Sequence, residues 1–455
     1  MPTVPNSKKL NASSADILNA IRNSGSDNYR ELVPLVSNDN DSIKAIGSII
    51  VGNPALMNEF ISSLVNRIGK VIINDKMYNN PWSMFKKGVL EYGESIEEIF
   101  VSMAKPFEYD PAIAEKEVFK REKPDVESVF HILNYQKFYK VTVQEADLRQ
   151  AFINIGGVTN LITKIIDSLY TAAKYDEFIT MKYLIARHIL NGDMYPVTVP
   201  TVSAQNAKDI ISIIKGVSND FEFMNDSYNM AGVMNVSEKS DQYLIMNSRF
   251  DATFDVEVLA SAFNMDRAQF MGHKVLVDGF GKFDVERLNT LFADDPNFVE
   301  ITADEMTALN SIPAIIVDRD WFMIYDNLNN FTEQYNGQGM YWNYWYHQWK
   351  TFSVSTFANG AVFVPGTPTV TSVSVSPATA TVKPGGQVVL SAVVETENFA
   401  SQAVKWSISD SEKAEITFGG ILHVDRNATT GDTITVTATS VYDPTKTATA
   451  TVTIS

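Results

Sequence analysis

Residues 340 to 350 read MYWNYWYHQWK, six aromatic side chains and a histidine in eleven positions. So much apolar ring surface in one short segment must be taken out of water, which restricts the folds open to the chain. As a helix, Trp342, Trp345, Tyr346 and Trp349 would line one face. As a strand, Tyr341, Trp345 and Trp349 share one side and Trp342, Tyr344 and Tyr346 the other. The continuation TFSVSTFANGAVFV, 351 to 364, is β-rich, so a strand aromatic on both faces is expected, buried in a sheet or between subunits. A stacking platform for sugars or bases would need the same surface open to solvent, and packing is the expectation.

At 455 residues the chain exceeds what one hydrophobic core usually organises, and two or three domains are expected. Hydrophobic residues at 45% and charged residues at 20% place it among globular proteins rather than disordered or fibrous ones. The 37 Lys and Arg against 54 Asp and Glu leave a formal charge of -17, which argues against wrapping nucleic acid by phosphate neutralisation. With no cysteine, disulfides, thiolate metal sites and cysteine nucleophiles are excluded. The start MPTVPNSKKLNASSAD lacks the basic and apolar regions of a signal peptide, and no stretch approaches the roughly 18 apolar residues of a membrane helix. A cytoplasmic protein without membrane contact is expected.

The clearest boundary is VPGTPTVTSVSVSP near residue 366, where Pro and Gly separate aromatic sequence from a Thr/Val/Ser-rich tail. From 369 to 455 short period-2 strands alternate with turns at KPGG, FGG and TTGD, which predicts a β-sandwich. The larger segment, 1 to 365, mixes element types. Over 160–191, Ile162, Ile165, Ile166, Leu169 and Ala173 recur at helical spacing, with Lys164, Asp167, Thr171 and Lys174 opposite, predicting one helix about 48 Å long. Residues 71 to 105 read as a strand, a turn-rich excursion and a strand, its tip carrying Trp82, Met84 and Phe85 beside Lys86 and Lys87. Exposed apolar side chains on such a loop are expected to await a partner. A helical pattern follows up to Pro124, and residues 281 to 312 resist division.

Nothing in the chain spells out catalysis. The five histidines, His131, His188, His273, His347 and His423, lie far apart, and none sits four residues from another as in a helical zinc motif. GSIIVGNP, 47 to 54, has phosphate-loop glycine spacing, but Asn53 and Pro54 stand where Lys and Ser or Thr should be. Asn53 as N-cap and Pro54 as first helical residue are the expectation there. NDND, 38 to 41, lacks the glycine and terminal glutamate of a calcium loop and reads as a turn. No catalytic residue, cofactor or metal is expected.

The tail segments VTSVSVSPATATVKPGGQVVLSAVV, VKWSISD, GGILHV and ITVTATS resemble the bacterial Ig-like group 2 domain. In that family Leu390 and Trp406 would be core residues. GMYWNYWYHQW followed by SVSTFAN, preceded by VDRDWFMIYDNL, is similar to the major capsid proteins of phi-29-like tailed phages. DILNAIRNS, NNPWSMFKKG, SIEEIF and LASAFNMDRAQFMG fit that family in the same order.

The resemblance implies an α+β Hong Kong 97-like phage capsid fold followed by an all-β Ig-like sandwich. Its parts would be a capsid shell domain over 1–365, with an N-arm over about 1–70, an E-loop over about 75–105, a spine helix over about 160–191, an axial domain over about 195–315 and a peripheral-domain return over about 316–365. The Ig-like domain would occupy 369–455. Trp82, Met84, Phe85, Lys86 and Lys87 would be E-loop residues that contact a neighbouring copy, and Trp342, Trp345 and Trp349 aromatic core or interface. The implied partners are further copies in pentamers and hexamers, a scaffolding protein, a portal, enclosed double-stranded DNA, and a host surface met through the Ig-like domain. Such a virion protein would assemble in the host cytoplasm and would not be an enzyme. Two alternatives are an encapsulin-like compartment shell, which shares the fold, and a surface adhesin, in which Ig-like group 2 domains are common.

Overall fold

The computed structural model describes residues 13–71, 79–91, 95–104, 106, 126–146, 152, 157–203, 205–255, 273–410 and 412–455. LASAFNMDRAQFMG and the helical pattern before Pro124 lie outside these residues. Four helices open the described chain: α1 (Ser14–Ser24), α2 (Asp27–Leu32), α3 (Asn40–Gly52) and α4 (Pro54–Val71). Local chemistry sets where they start. Ser13 and Asp16 form a capping box, Asp39 Oδ1 accepts from the Ser42 N–H at 2.7 Å, and Asn53 Oδ1 accepts from the Ala55 N–H ahead of Pro54. Leu18, Ile21, Ile43, Ile46, Ile50, Leu56, Met57 and Phe60 fall on the inner faces and are buried. From Ser13 on, the segment expected as an arm is a packed helical layer, because its apolar positions follow a helical period and close on one another.

Four strands follow: β1 (Lys86–Val89), β2 (Ile96–Val101), β3 (Val126–His131) and β4 (Tyr135–Gln144). The long helix α5 spans Gly157–Leu190, about 51 Å at 1.5 Å per residue. Then come β5 (Tyr195–Val199), α6 (Ala207–Asp220), β6 (Gln242–Asn247), α7 (Ser248–Asp255), β7 (Lys274–Val277), α8 (Val285–Leu291) and α9 (Ala303–Asn310). The illegible stretch 281–312 thus holds two short helices, started by Asp284 and by a Thr302–Glu305 capping box. The chain up to residue 365 ends with β8 (Ala314–Asp318), β9 (Phe322–Asn336), β10 (Tyr341–Val354) and β11 (Gly360–Pro365).

Two sheets organise this portion. One has the order β1-β9-β10-β4, and its inner face carries Trp342 and Tyr344 into the core formed with the four N-terminal helices. The other has the order β5-β11-β8-β6-β7. It is covered on both sides: Leu244, Met246, Ile316 and Phe363 meet α6, while Ile245, Ile315, Val317, Val362 and Val364 join a core with Ile185 and Ile189 of α5. Double burial explains the unbroken apolar runs of β8 and β11. Residues 316–365, expected as one return, divide between the sheets: β9 and β10 enter the first, while β8 and β11 lie in the second.

The remaining strands are β12 (Thr369–Ser376), β13 (Thr379–Val382), β14 (Gln387–Val389), β15 (Ser391–Glu397), β16 (Val404–Ile408), β17 (Ala414–Ile416), β18 (Ile421–Val424), β19 (Thr433–Ser440) and β20 (Thr447–Ile454). They form the sandwich expected from their period-2 pattern, around Leu390, Leu422, Ile434, Val436 and Val452. Leu390 is fully buried in that core, and half-buried Trp406 packs on its flank. At Gly420 (φ +79°) a Cβ would meet the Leu390 carbonyl oxygen at 2.3 Å and Trp406 at 3.0 Å, so only glycine fits this turn.

Candidate functional site

Trp82 and Phe85 occupy the interior of the subunit, at 0% and 1% exposure. The expectation that they lie bare on an excursion is corrected. Trp82 sets its ring edge-on to Phe178 at 5.2 Å, and its indole N–H donates to the Leu276 carbonyl at 3.3 Å. Phe85 packs on Phe322 at 4.4 Å. What draws them in is the parallel pairing of β1 with β9, which attaches this segment to the sheet beside α5. Met84 alone of the three is exposed. Lys87 pairs with Asp320 and donates to the Arg319 carbonyl at 3.1 Å.

Lys86 points inward to a buried charge network. Its Nζ lies 3.2 Å from Glu177 Oε2 and 2.5 Å from Asp326 Oδ2, while Lys350 pairs with the same Glu177 and stands 3.3 Å from Asp326 Oδ1. Asn80 donates to the other Glu177 oxygen at 2.7 Å. A β-bulge makes the geometry possible. Between Trp349 and Lys350 the β9 register skips Asn327, so Asp326 turns to the face where Lys350 and α5 meet. Burial by itself would raise the Glu177 carboxyl, but Lys350, Lys86 and Lys174 outweigh it and hold it at about 2.

The apolar surface that does face solvent lies farther along, on the β2–β3 ribbon. In its register Ile96, Glu98 and Phe100 face one way with His131, Val129 and Glu127, while Glu97, Ile99 and Val101 face the other with Phe130, Ser128 and Val126. Each face is mixed: Glu98, Glu127 and His131 turn inward beside Ile96, Phe100 and Val129, and Ile99, Val101, Val126 and Phe130 face outward beside Glu97 and Ser128. Glu127 and His131 are buried against the body of the protein, whereas Ile99, Val101, Val126 and Phe130 are 53 to 61% exposed. Met103 and Ile132 extend the exposed apolar surface. The inward groups are all held: His131 Nδ1 lies 2.8 Å from Ser353 Oγ, its Nε2 lies 3.1 Å from Glu98 Oε2, and Ser355 Oγ donates to Glu98 Oε1 at 2.6 Å. Phe100 stacks on Phe357 at 5.5 Å. A sequence signal for the ribbon existed in the alternation of SIEEIFV, but its partner VESVFH lies beyond a long insertion and adjoins a helical pattern.

The aromatic strand β10 is two-sided. Trp342, Tyr344, Tyr346 and Gln348 are buried on its inner side, with Tyr346 stacked on Phe331 at 4.5 Å and Trp342 on Tyr335 at 4.7 Å. Trp345 and Trp349 lie half-buried on the outer side, with Lys140 Nζ 5.7 Å over the Trp345 ring and Phe138 beside His347 at 5.7 Å. Only Trp342 of the three tryptophans is therefore in a core. Among the described residues no group of three or more His, Asp and Glu is placed to hold a metal ion, and no helix is long and apolar enough to cross a membrane.

The chain has known counterparts. The Phi29-like phage major capsid protein family matches residues 18–364, and the bacterial Ig-like domain (group 2) family matches residues 369–452. The major capsid protein of Bacillus phage PZA is 37% identical over 420 residues, which is 91% of this chain and 87% of that protein. That of Bacillus phage B103 is 37% identical over 433 residues, 94% and 90% of the two chains. Among solved structures, the capsid of Staphylococcus phage Andhra superposes with a TM-score of 0.51 at 16% identity, over 64% of this chain and 86% of that one. The fold is thus that of a phage capsid subunit, and the chain belongs to the Phi29-like phage major capsid protein family, with a bacterial Ig-like group 2 domain at its C-terminal end.

Proposed function

We propose that the chain is a non-enzymatic shell subunit, many copies of which close into a phage head as pentamers and hexamers. The observation that carries this reading is the ribbon's outward face, where Ile99, Val101, Val126 and Phe130 are left in water while Glu98, Glu127 and His131 turn toward the body of the protein. A neighbouring copy that covers these half-exposed side chains stabilises the lattice by roughly 0.8 to 1.5 kcal/mol for each, about half the value of a full burial. In this reading the ribbon is the working part of the E-loop, α5 is the spine helix, and the five-stranded sheet with α6 is the axial domain. The outer face of the first sheet, with Phe138, Trp345 and Trp349, is a second surface for a neighbour to cover. Enclosed double-stranded DNA, a scaffolding protein and a portal belong to the same reading, and the net charge of -17 suits a container that must not grip its DNA. A compartment shell or an adhesin has weaker support, since the family match to phage capsid proteins runs through residues 18–364.

The double variant Ile99→Asp, Phe130→Asp tests it. Electron microscopy of the purified full-length protein, expressed alone and with neighbouring phage genes, is expected to show few or no closed shells. Its melting curve should stay within a few degrees of the unaltered chain, because neither side chain is packed in the core. Shells in normal yield from this variant would remove the ribbon from the lattice contacts.

A further inference from the structure

The Ig-like domain touches the rest of the chain in two places, a cluster of contacts around the end of α5 and a separate turn that reaches the ribbon. Its first contact is the loop between β15 and β16. Asn398 and Phe399 both adopt positive φ, 53° and 61°, a conformation that side-chain-bearing residues seldom take. The strained turn sends Phe399 against the core that holds Trp82 and Ile189, and leaves Ala400 and Ser401 buried. The Gln402 N–H donates to the Gly192 carbonyl just past the end of α5 at 3.0 Å, and the Asn398 amide donates to the Pro365 carbonyl at 3.3 Å. Gly192 itself has φ +69°, and a Cβ there would stand 2.6 Å from the Ala400 oxygen. Nearby, Tyr442 meets Tyr195 at 5.9 Å, and Lys405 pairs with Asp226 at 2.9 Å.

The second contact is the turn between β17 and β18. The Phe418 N–H donates to Glu127 Oε1 on β3 at 3.2 Å. The Phe418 ring packs edge-on against Phe357 at 6.0 Å, and Phe357 is the residue on which Phe100 of β2 stacks. Both strands of the ribbon are thus backed by the Ig-like domain, Glu127 through the Phe418 N–H and Phe100 through the aromatic row Phe100–Phe357–Phe418. Contacts at two well-separated loops restrain rotation as well as separation. A single Pro/Gly hinge at residues 365 to 367 would restrain neither.

We infer that the Ig-like domain is a strut: anchored at the end of α5, it fixes the angle at which the β2–β3 ribbon leaves the body of the protein. The inference rests on the reading of that ribbon as the element that contacts a neighbouring copy, and it makes the domain part of the shell's geometry rather than a separable ornament. Two full-length variants test it, Phe418→Ala at the ribbon and Phe399→Ser at the anchor. Hydrogen exchange is read by mass spectrometry in unassembled subunits, on peptides covering 96–101 and 126–131. Loss of the Phe418 ring is expected to speed exchange there about three- to tenfold, the factor to which one aromatic pair corresponds, while 433–440 in the sandwich core stays protected. Phe399→Ser should speed ribbon exchange by at least as much. Unchanged ribbon exchange in Phe418→Ala, with the sandwich folded, would overturn the strut. Because the readout is taken before assembly, it stands apart from whether the ribbon contacts a neighbour. Should ribbon exchange rise in Phe418→Ala while Ile99→Asp, Phe130→Asp still forms normal shells, the strut holds and the capsid role of the ribbon falls.

Discussion

Glu177→Gln is expected to cost the protein about 3 to 5 kcal/mol of folding stability, read as a fall in the denaturant midpoint at neutral pH. The side chain has no solvent exposure and faces two lysines, of which Lys350 is only 2% exposed. Removing its charge leaves Lys350 and Lys86 to share Asp326, with Lys350 almost wholly enclosed, and an uncompensated buried ammonium is among the costliest defects a core can hold. The same network gives a pH dependence of definite sign. Glu177 is held at about 2 in the folded protein, against 4.5 in the unfolded chain. Its contribution is therefore complete above about pH 4.5 and is lost as the pH falls through 4.5 toward 2. The unaltered protein should lose stability steeply in that window and Glu177→Gln less so. Parallel acid titrations of the two that superimpose in slope would show that Glu177 is not the responsible carboxylate. Replacing all four members of the network, Glu177, Asp326, Lys350 and Lys86, by apolar residues should recover much of the loss, since it is the unpaired charge and not the missing pair that destabilises.

Trp82→Ala is expected to cost about 3 to 5 kcal/mol, and Phe85→Ala a similar amount, measured by urea or thermal unfolding of unassembled subunits. Each ring leaves a cavity walled by other large side chains: Phe178, Phe322 and Phe85 around Trp82, and Phe322 with Tyr243 around Phe85. In the Trp82 case the Leu276 carbonyl also loses a donor. Because the two rings touch, the double variant should fall short of the sum. This is a different outcome from the one the residues suggest in isolation, where serine at both positions would spare the fold and weaken only assembly. A Trp82→Ser, Phe85→Ser chain that melts like the unaltered protein would contradict the burial described above. With Ile99→Asp, Phe130→Asp, the pair separates core from interface: the first damages the fold before assembly, the second acts only afterwards.

Much of the architecture was legible because it is written at short range. The helical period over 160–191 produced α5 within a few positions of its observed ends. Alternation and glycine turns produced the sandwich, and Asn53 with Pro54 announced the start of α4. The aromatic run announced β10, although not which tryptophan would be enclosed. The ribbon was harder. Its two strands are separated by residues 102–125, and an antiparallel register between distant segments leaves no mark in either one.

Motifs such as GMYWNYWYHQW carried the resemblance to the family. By itself, the sequence determined the types of α5, β10 and the tail strands, the boundary near 366 and the absence of cysteine chemistry. These follow from periodicity, turn residues and composition, which each segment carries without reference to the rest. The tertiary structure alone decided which apolar side chains the protein keeps inside and which it offers to others. NNPWSMFKKG and SIEEIFV are alike in mixing large apolar residues with charges. The first is drawn inward because β1 finds β9 and Lys86 finds Glu177; the second turns Glu98 inward, where His131 and Ser355 bind it, and leaves Glu97 outside. Burial is a property of pairings across hundreds of residues, and a buried charge needs a partner that only the folded chain can bring to it.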